Sequence, residues 1–115
     1  MKLYKSAHSV YKTQYHIVWI SRYRRKILQK GIDEYFKELL AEVCKHFPDF
    51  VFEAVGTDID HVHIQMVIPP KYSVSKVIGI LKSNTSRKMR ERFADLRRVY
   101  WDGRGIWGAG FFVIA

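Results

Sequence analysis

Cysteine is nearly absent from this 115-residue chain. Cys44 stands alone, so no disulfide and no cysteine-built zinc site can form within one chain, and its place on the apolar side of a predicted helix makes it core filler. Long apolar runs are missing too. None approaches the roughly 20 residues of a membrane helix, and the N-terminus "MKLYKSAHSVYKTQYHIVWI" lacks the apolar segment and small-residue cleavage site of a signal peptide. The expected location is therefore the cytoplasm. Internal repeats and low-complexity segments are absent as well, and 115 residues suffice for one core but not two. Residues 1–115 read as a single domain.

Acidic residues are scarce: eleven Asp and Glu face twenty Lys and Arg, for a net charge of +9. The excess is clustered, with eleven of the twenty basic residues in "SRYRRK" (21–26) and "KSNTSRKMRERFADLRR" (82–98). Such clusters suit a polyanion, because each neutralised phosphate releases counterions; a solvated basic surface is the plainer alternative. Apolar residues make up 48% and charged residues 27%, the balance of a folded protein rather than a disordered one.

What is present alternates in period. "YKTQYHIVWI" (11–20) is β-branched and aromatic and reads as a strand with Tyr15, Ile17 and Trp19 on one face. Ile32, Tyr35, Phe36, Leu39, Leu40, Val43 and Phe47 form one stripe of an amphipathic helix ending before Pro48. Strands at 50–57 and 61–68 flank "DID" and pair as a hairpin; "PPKYS" closes the second. Ser73 or Ser75 caps a helix with Val74, Val77, Ile78, Leu81, Thr85, Met89 and Phe93 on its apolar stripe and a basic opposite face. After "YWDGRGIWGAG" comes a short last strand, "FFVIA". The order β-α-β-β-α-β predicts an α+β, ferredoxin-like fold, an antiparallel sheet with two helices on one face and the other face open.

One strand carries an unusual pattern. In "HVHIQMVI" side chains alternate, so Val62, Ile64, Met66 and Ile68 belong under the helices while His61, His63 and Gln65 face out. Two imidazoles on one face, two residues apart, reach one ion: Mn²⁺ or Zn²⁺, or Mg²⁺ where phosphate and carboxylate oxygens complete the shell. Spacing alone leaves open an ordinary amphipathic surface, since two ligands are an incomplete set. Asp58 and Asp60 would either orient a ring or simply make the turn.

"YHIVWISRYRRKIL", "DIDHVHIQMVIPPKYSVSKVIGILKSNTSRKMRERF" and "GIWGAGFFV" together resemble the single-tyrosine (Y1) transposases of the IS200/IS605 insertion sequences, members of the HUH endonucleases. The resemblance runs from about Tyr15 to the end. It implies a DNA transposase that binds hairpins at the element's ends as a homodimer, cuts single-stranded DNA through a 5′-phosphotyrosine and rejoins it. It also implies that His61 and His63 bind Mg²⁺ or Mn²⁺. The nucleophilic tyrosine and a third ligand lie, in that family, on a helix after the last strand. The sequence stops at Ala115, so the expectation is a C-terminally truncated IS200-like domain that binds DNA and metal without a nucleophile of its own. Tyr4, Tyr11, Tyr15, Tyr23, Tyr35, Tyr72 and Tyr100 all precede that position.

The expected phosphate contacts are Arg22, Arg24 and Arg25 in the first loop and Lys82, Arg87, Lys88 and Arg90 on the second helix. Tyr23 and Trp101 are placed to stack on unpaired bases, whereas Trp107 belongs to the core and Tyr100 either to loop packing or to stacking. A rival reading is a non-catalytic ferredoxin-like nucleic-acid-binding module that stacks bases on its open sheet face; His, His and Gln at those positions favour metal. A small metal-dependent phosphoesterase would want more carboxylates near the histidines than Asp58 and Asp60.

Overall fold

A computed structural model describes residues 14–115 together with two short paired strands before them, β1 (Tyr4–Lys5) and β2 (Val10–Tyr11). Residues 12 and 13 of the expected first strand lie outside the described residues. The main sheet begins at β3 (Gln14–Ile20) and continues with β4 (Val51–Asp58), β5 (His61–Val67) and β6 (Phe112–Ile114). Its order is β4-β5-β3-β6, antiparallel throughout. With α1 (Ile32–His46) between β3 and β4 and α2 (Val74–Arg92) between β5 and β6, this is the expected ferredoxin-like arrangement.

Both main helices obey local rules. Asp33 and Glu34 occupy the first turn of α1 and Lys45 and His46 the last, each complementing the helix dipole. Phe47 leaves the helical region just before Pro48, as the residue preceding a proline tends to. Ser73 caps α2 by accepting a hydrogen bond from the Lys76 amide at 3.1 Å. A further helix, α3 (Ala94–Val99), was not expected from the sequence. Phe93 turns extended between α2 and α3. The apolar spacing runs on through Met89, Phe93 and Leu96, so periodicity alone cannot reveal the break.

The helices cover one sheet face. Ile17, Trp19, Val62, Ile64 and Met66 from the sheet meet Phe36, Leu40, Val77, Ile78, Leu81 and Met89 from the helices, all buried. Trp107 joins them as predicted, its ring edge-on to Trp19 and Phe36 at 5.8 and 5.5 Å between centroids. Its indole N–H donates to the buried Thr85 Oγ1 at 2.9 Å. Tyr100 is also core: its ring is buried and its hydroxyl donates to the Arg22 carbonyl at 2.9 Å.

Candidate metal centre and nucleic-acid interface

Register puts the histidines on the uncovered face. Residues directly opposite in an antiparallel sheet share a side, so the rows Asp58–His61–Ile20 and Gly56–His63–Val18 both face away from the helices. A third row holds Ala54, Gln65 and His16. The His61 and His63 rings stand 6.3 Å apart, their planes inclined by 39°.

His61 is held by its neighbour. Its Nδ1 lies 2.9 Å from Asp60 Oδ1, which also sits near Arg24, whose Nε is 3.4 Å from Oδ2. The hydrogen bond to His61, and less strongly the Arg24 charge, keep the Asp60 carboxyl below its ordinary range. A carboxylate beside Nδ1 favours a ring proton on that nitrogen and so turns Nε2 to other partners, the arrangement found at histidine metal ligands. Asp58 does something different: its Oδ1 accepts the Ile59 amide at 2.8 Å and so shapes the turn.

The loop after β3 fastens this hairpin. Ser21, fully buried, donates its amide to the Asp60 carbonyl at 2.9 Å, and Leu28 donates its own to the Ile59 carbonyl at 2.9 Å. The Ser21 hydroxyl reaches the Arg25 carbonyl at 2.7 Å. Within the loop, Tyr23 and Arg24 both adopt positive φ, 61° and 51°, a conformation that costs non-glycine residues of order 1–3 kcal/mol each and tends to accompany function. The result is a basic loop docked against the histidine strand.

The remaining predicted cations differ in what they meet. Arg22 bonds Asp102, whose carboxyl it pulls down to about 2; Arg22 and Arg25 also lie within 5.5 Å of the Tyr23 and Tyr100 ring centres. Tyr23 itself is 65% exposed and Trp101 83% exposed. Lys82 turns inward: its ammonium donates to the carbonyls of Gly108 and Gly110 at 2.8 and 2.7 Å and lies over Trp19. Lys88 approaches Glu42 at 3.6 Å. Arg87 and Arg90 line a groove of about 580 Å³ together with Ser83, Ser86, Arg97 and Arg104, and with Glu91 as its lone carboxylate. Arg90 Nε is buried there without a hydrogen-bond partner among the described residues.

Sequence reasoning missed Ser21, Arg97 and Arg104. Ser21 had a signal, since it continues the inward alternation of Ile17 and Trp19, and a buried serine implies a hydrogen-bonding duty. Arg97 and Arg104 had none beyond charge, because the loop that brings Arg104 to α2 is a tertiary feature. Among the described residues no group of three or more His, Cys, Asp or Glu converges on one point, and no helix is long and apolar enough to cross a membrane.

A family model described as "Transposase IS200 like" matches residues 9–115. The chain belongs to this family. Among curated IS200-like relatives, the transposase for insertion sequence element IS200 of Salmonella typhimurium is 34% identical over 107 residues, spanning 93% of this chain and 69% of the relative. The ISDra2 transposase TnpA of Deinococcus radiodurans is 22% identical over 116 residues, 99% of this chain and 80% of that one. A crystal structure assigned as a transposase from Deinococcus radiodurans R1 superposes with a TM-score of 0.86 at 25% identity, covering all of this chain and 85% of that one. The REP-associated tyrosine transposase, solved bound to a REP hairpin, shares the fold with a TM-score of 0.65 at 16% identity, over all of this chain and 62% of that one. The IS200/IS605-type transposase assignment thus rests on family, sequence and fold together, and with it the class of enzyme that cleaves and rejoins DNA.

Proposed function

We propose that these 115 residues form one IS200-like domain that holds single-stranded DNA with hairpins at transposon ends and presents its scissile phosphate to His61 and His63. The observation that carries this reading is the Arg24–Asp60–His61 chain of contacts, which joins an exposed part of the basic loop to the histidine face. A divalent ion, Mg²⁺ or Mn²⁺, held by the two Nε2 atoms would polarise a phosphate and neutralise charge on its oxygens. Asp60 orients the His61 ring for that task, and Ser21 holds Asp60 in place.

A DNA strand approaching the histidines passes Arg24 and the exposed Tyr23 ring, which offers a stacking surface. Arg87, Arg90, Arg97 and Arg104 give the duplex part of a hairpin a second phosphate track on the helical layer. Lys82 is left out of this set because its head group serves the backbone before β6. The stacking-platform alternative loses support, because the open face of the two central strands carries His16, Val18, Ile20, His61, His63 and Gln65 and no Phe, Tyr or Trp.

No nucleophile is assigned among the described tyrosines. Tyr15, Tyr35, Tyr72 and Tyr100 pack against or within the core, and Tyr23 sits between arginines. The domain works as a cytoplasmic homodimer, for which the edge strand β6, with Phe112 78% exposed, offers an unpaired apolar border.

The test is to mix the chain with labelled hairpin oligonucleotides, Mn²⁺ and rising salt, and to score mobility shift and denaturation-resistant adduct together. A salt-sensitive shift, weakened by Arg87→Ala and Arg104→Ala and unaccompanied by adduct, is expected. No shift at low salt overturns the DNA reading, and an adduct, traced with Tyr23→Phe, would make one of the tyrosines of this chain a nucleophile.

A further inference from the structure

Gly56 has no conformational reason to be glycine. It lies inside β4, where a missing side chain weakens a strand, and it is not among the residues with positive φ. Nor does it make the irregularity in β4, which falls between Phe52 and Ala54. It pairs in regular register with His63.

The space it leaves is filled by an imidazole. A Cβ built on Gly56 would stand 2.1 Å from His63 Cε1, 2.5 Å from Nε2 and 2.9 Å from Nδ1, well inside contact distance for all three. The edge of the ring that carries both nitrogens therefore occupies the place of the absent side chain. Val18, branched at Cβ, is the partner of His63 on the other neighbouring strand.

We propose that Gly56 is a positioning residue for His63: its missing Cβ lets the imidazole lie across β4, with its centre 6.3 Å from that of the His61 ring. The proposal rests on the reading of His61 and His63 as a metal pair. Its consequence is a separation of stability from function. His63 is exposed, so a methyl group at position 56 is accommodated by swinging the ring to another rotamer, with the backbone unmoved. Alanine is also the better strand residue at an ordinary φ. Gly56→Ala should therefore fold at least as well as the parent while misplacing one ligand.

The experiment uses the whole chain in three measurements. Thermal melting reads stability, titration with manganese chloride alone, followed by the electron paramagnetic resonance of free Mn²⁺, reads affinity, and a nuclear Overhauser contact between Gly56 Hα and His63 Hε1 in metal-free protein reads the ring's place. The parent should show the contact. Gly56→Ala should melt no lower and shift the His63 resonances, and should bind Mn²⁺ about 10–100-fold more weakly, the loss typical of removing a ligand's supporting group, approaching His63→Ala. Parent-like Mn²⁺ affinity in Gly56→Ala overturns the proposal, as does a parent lacking the contact or an alanine variant that fails to fold. If the parent, His61→Ala and His63→Ala all bind Mn²⁺ alike, the metal reading fails; unmoved His63 resonances in Gly56→Ala would then overturn the positioning role separately.

Discussion

Replacing Thr85 by valine tests the joint that fixes the path from α3 to β6. Thr85 is fully buried; its Oγ1 accepts the Trp107 indole N–H at 2.9 Å and donates to the Leu81 carbonyl at 2.7 Å. Valine keeps the branched shape, so neither a cavity nor a new rotamer is introduced. The Leu81 carbonyl retains its helical partner one turn on. What remains is a stranded indole donor in a site where Trp107 is 7% exposed, at a cost of about 1–3 kcal/mol. At about 4 °C per kcal/mol for a chain of this size, Thr85→Val should lower the melting temperature by about 4–12 °C. Urea unfolding and thermal circular dichroism measure it. Removing the donor as well should recover part of the loss, so Trp107→Phe should cost less in the valine background than in the parent, with a coupling of about 1 kcal/mol. A Thr85→Val chain within about 0.5 kcal/mol of the parent, or an additive cycle, would show that this buried bond contributes nothing.

Asp60→Ala should weaken Mn²⁺ binding about 10–100-fold with little effect on folding; calorimetric titration giving the parent affinity would remove Asp60 as the group that orients His61. Asp102 supplies a pH signature. Arg22, its hydrogen-bond partner, holds its carboxyl at about 2, below its ordinary 3.8, so the stability it contributes is present above about pH 4 and is lost as the pH falls toward 2. Asp102→Asn should flatten urea midpoints across that window, and an unchanged acid slope would refute the assignment.

The sheet face of the histidines was legible because strand alternation is strict. Burying Val62, Ile64 and Met66 forces His61 and His63 outward, whatever packs elsewhere. The hairpin was legible for a similar reason, but its turn was expected over Asp58–Asp60, whereas β4 runs on to Asp58 and leaves only Ile59 and Asp60 in the turn, which sets position 56 opposite 63. The role of Asp60 was half visible, since its neighbour in sequence became its partner in space. The place of Lys82 was not legible, for the opposite reason. On a helical wheel it belongs to the basic face, and only the Gly108–Gly110 backbone passing above α2 turns its ammonium inward, where burial lowers its pKa.

Sequence by itself determined the order of the four main-sheet strands and the two long helices, the apolar stripes and the pair of outward histidines, because these follow from periods of 2 and 3.6 residues imposed by local backbone geometry. Thr85 marks the boundary. It fell on the predicted stripe of α2, but its hydroxyl is explained by Trp107, 22 residues away. The docking of Ser21 on Asp60, the groove shared by Arg90 and Arg104 and the seat of His63 on Gly56 were likewise decided by tertiary structure. Each depends on the distance and angle between segments remote in the chain, which packing sets and no local pattern encodes.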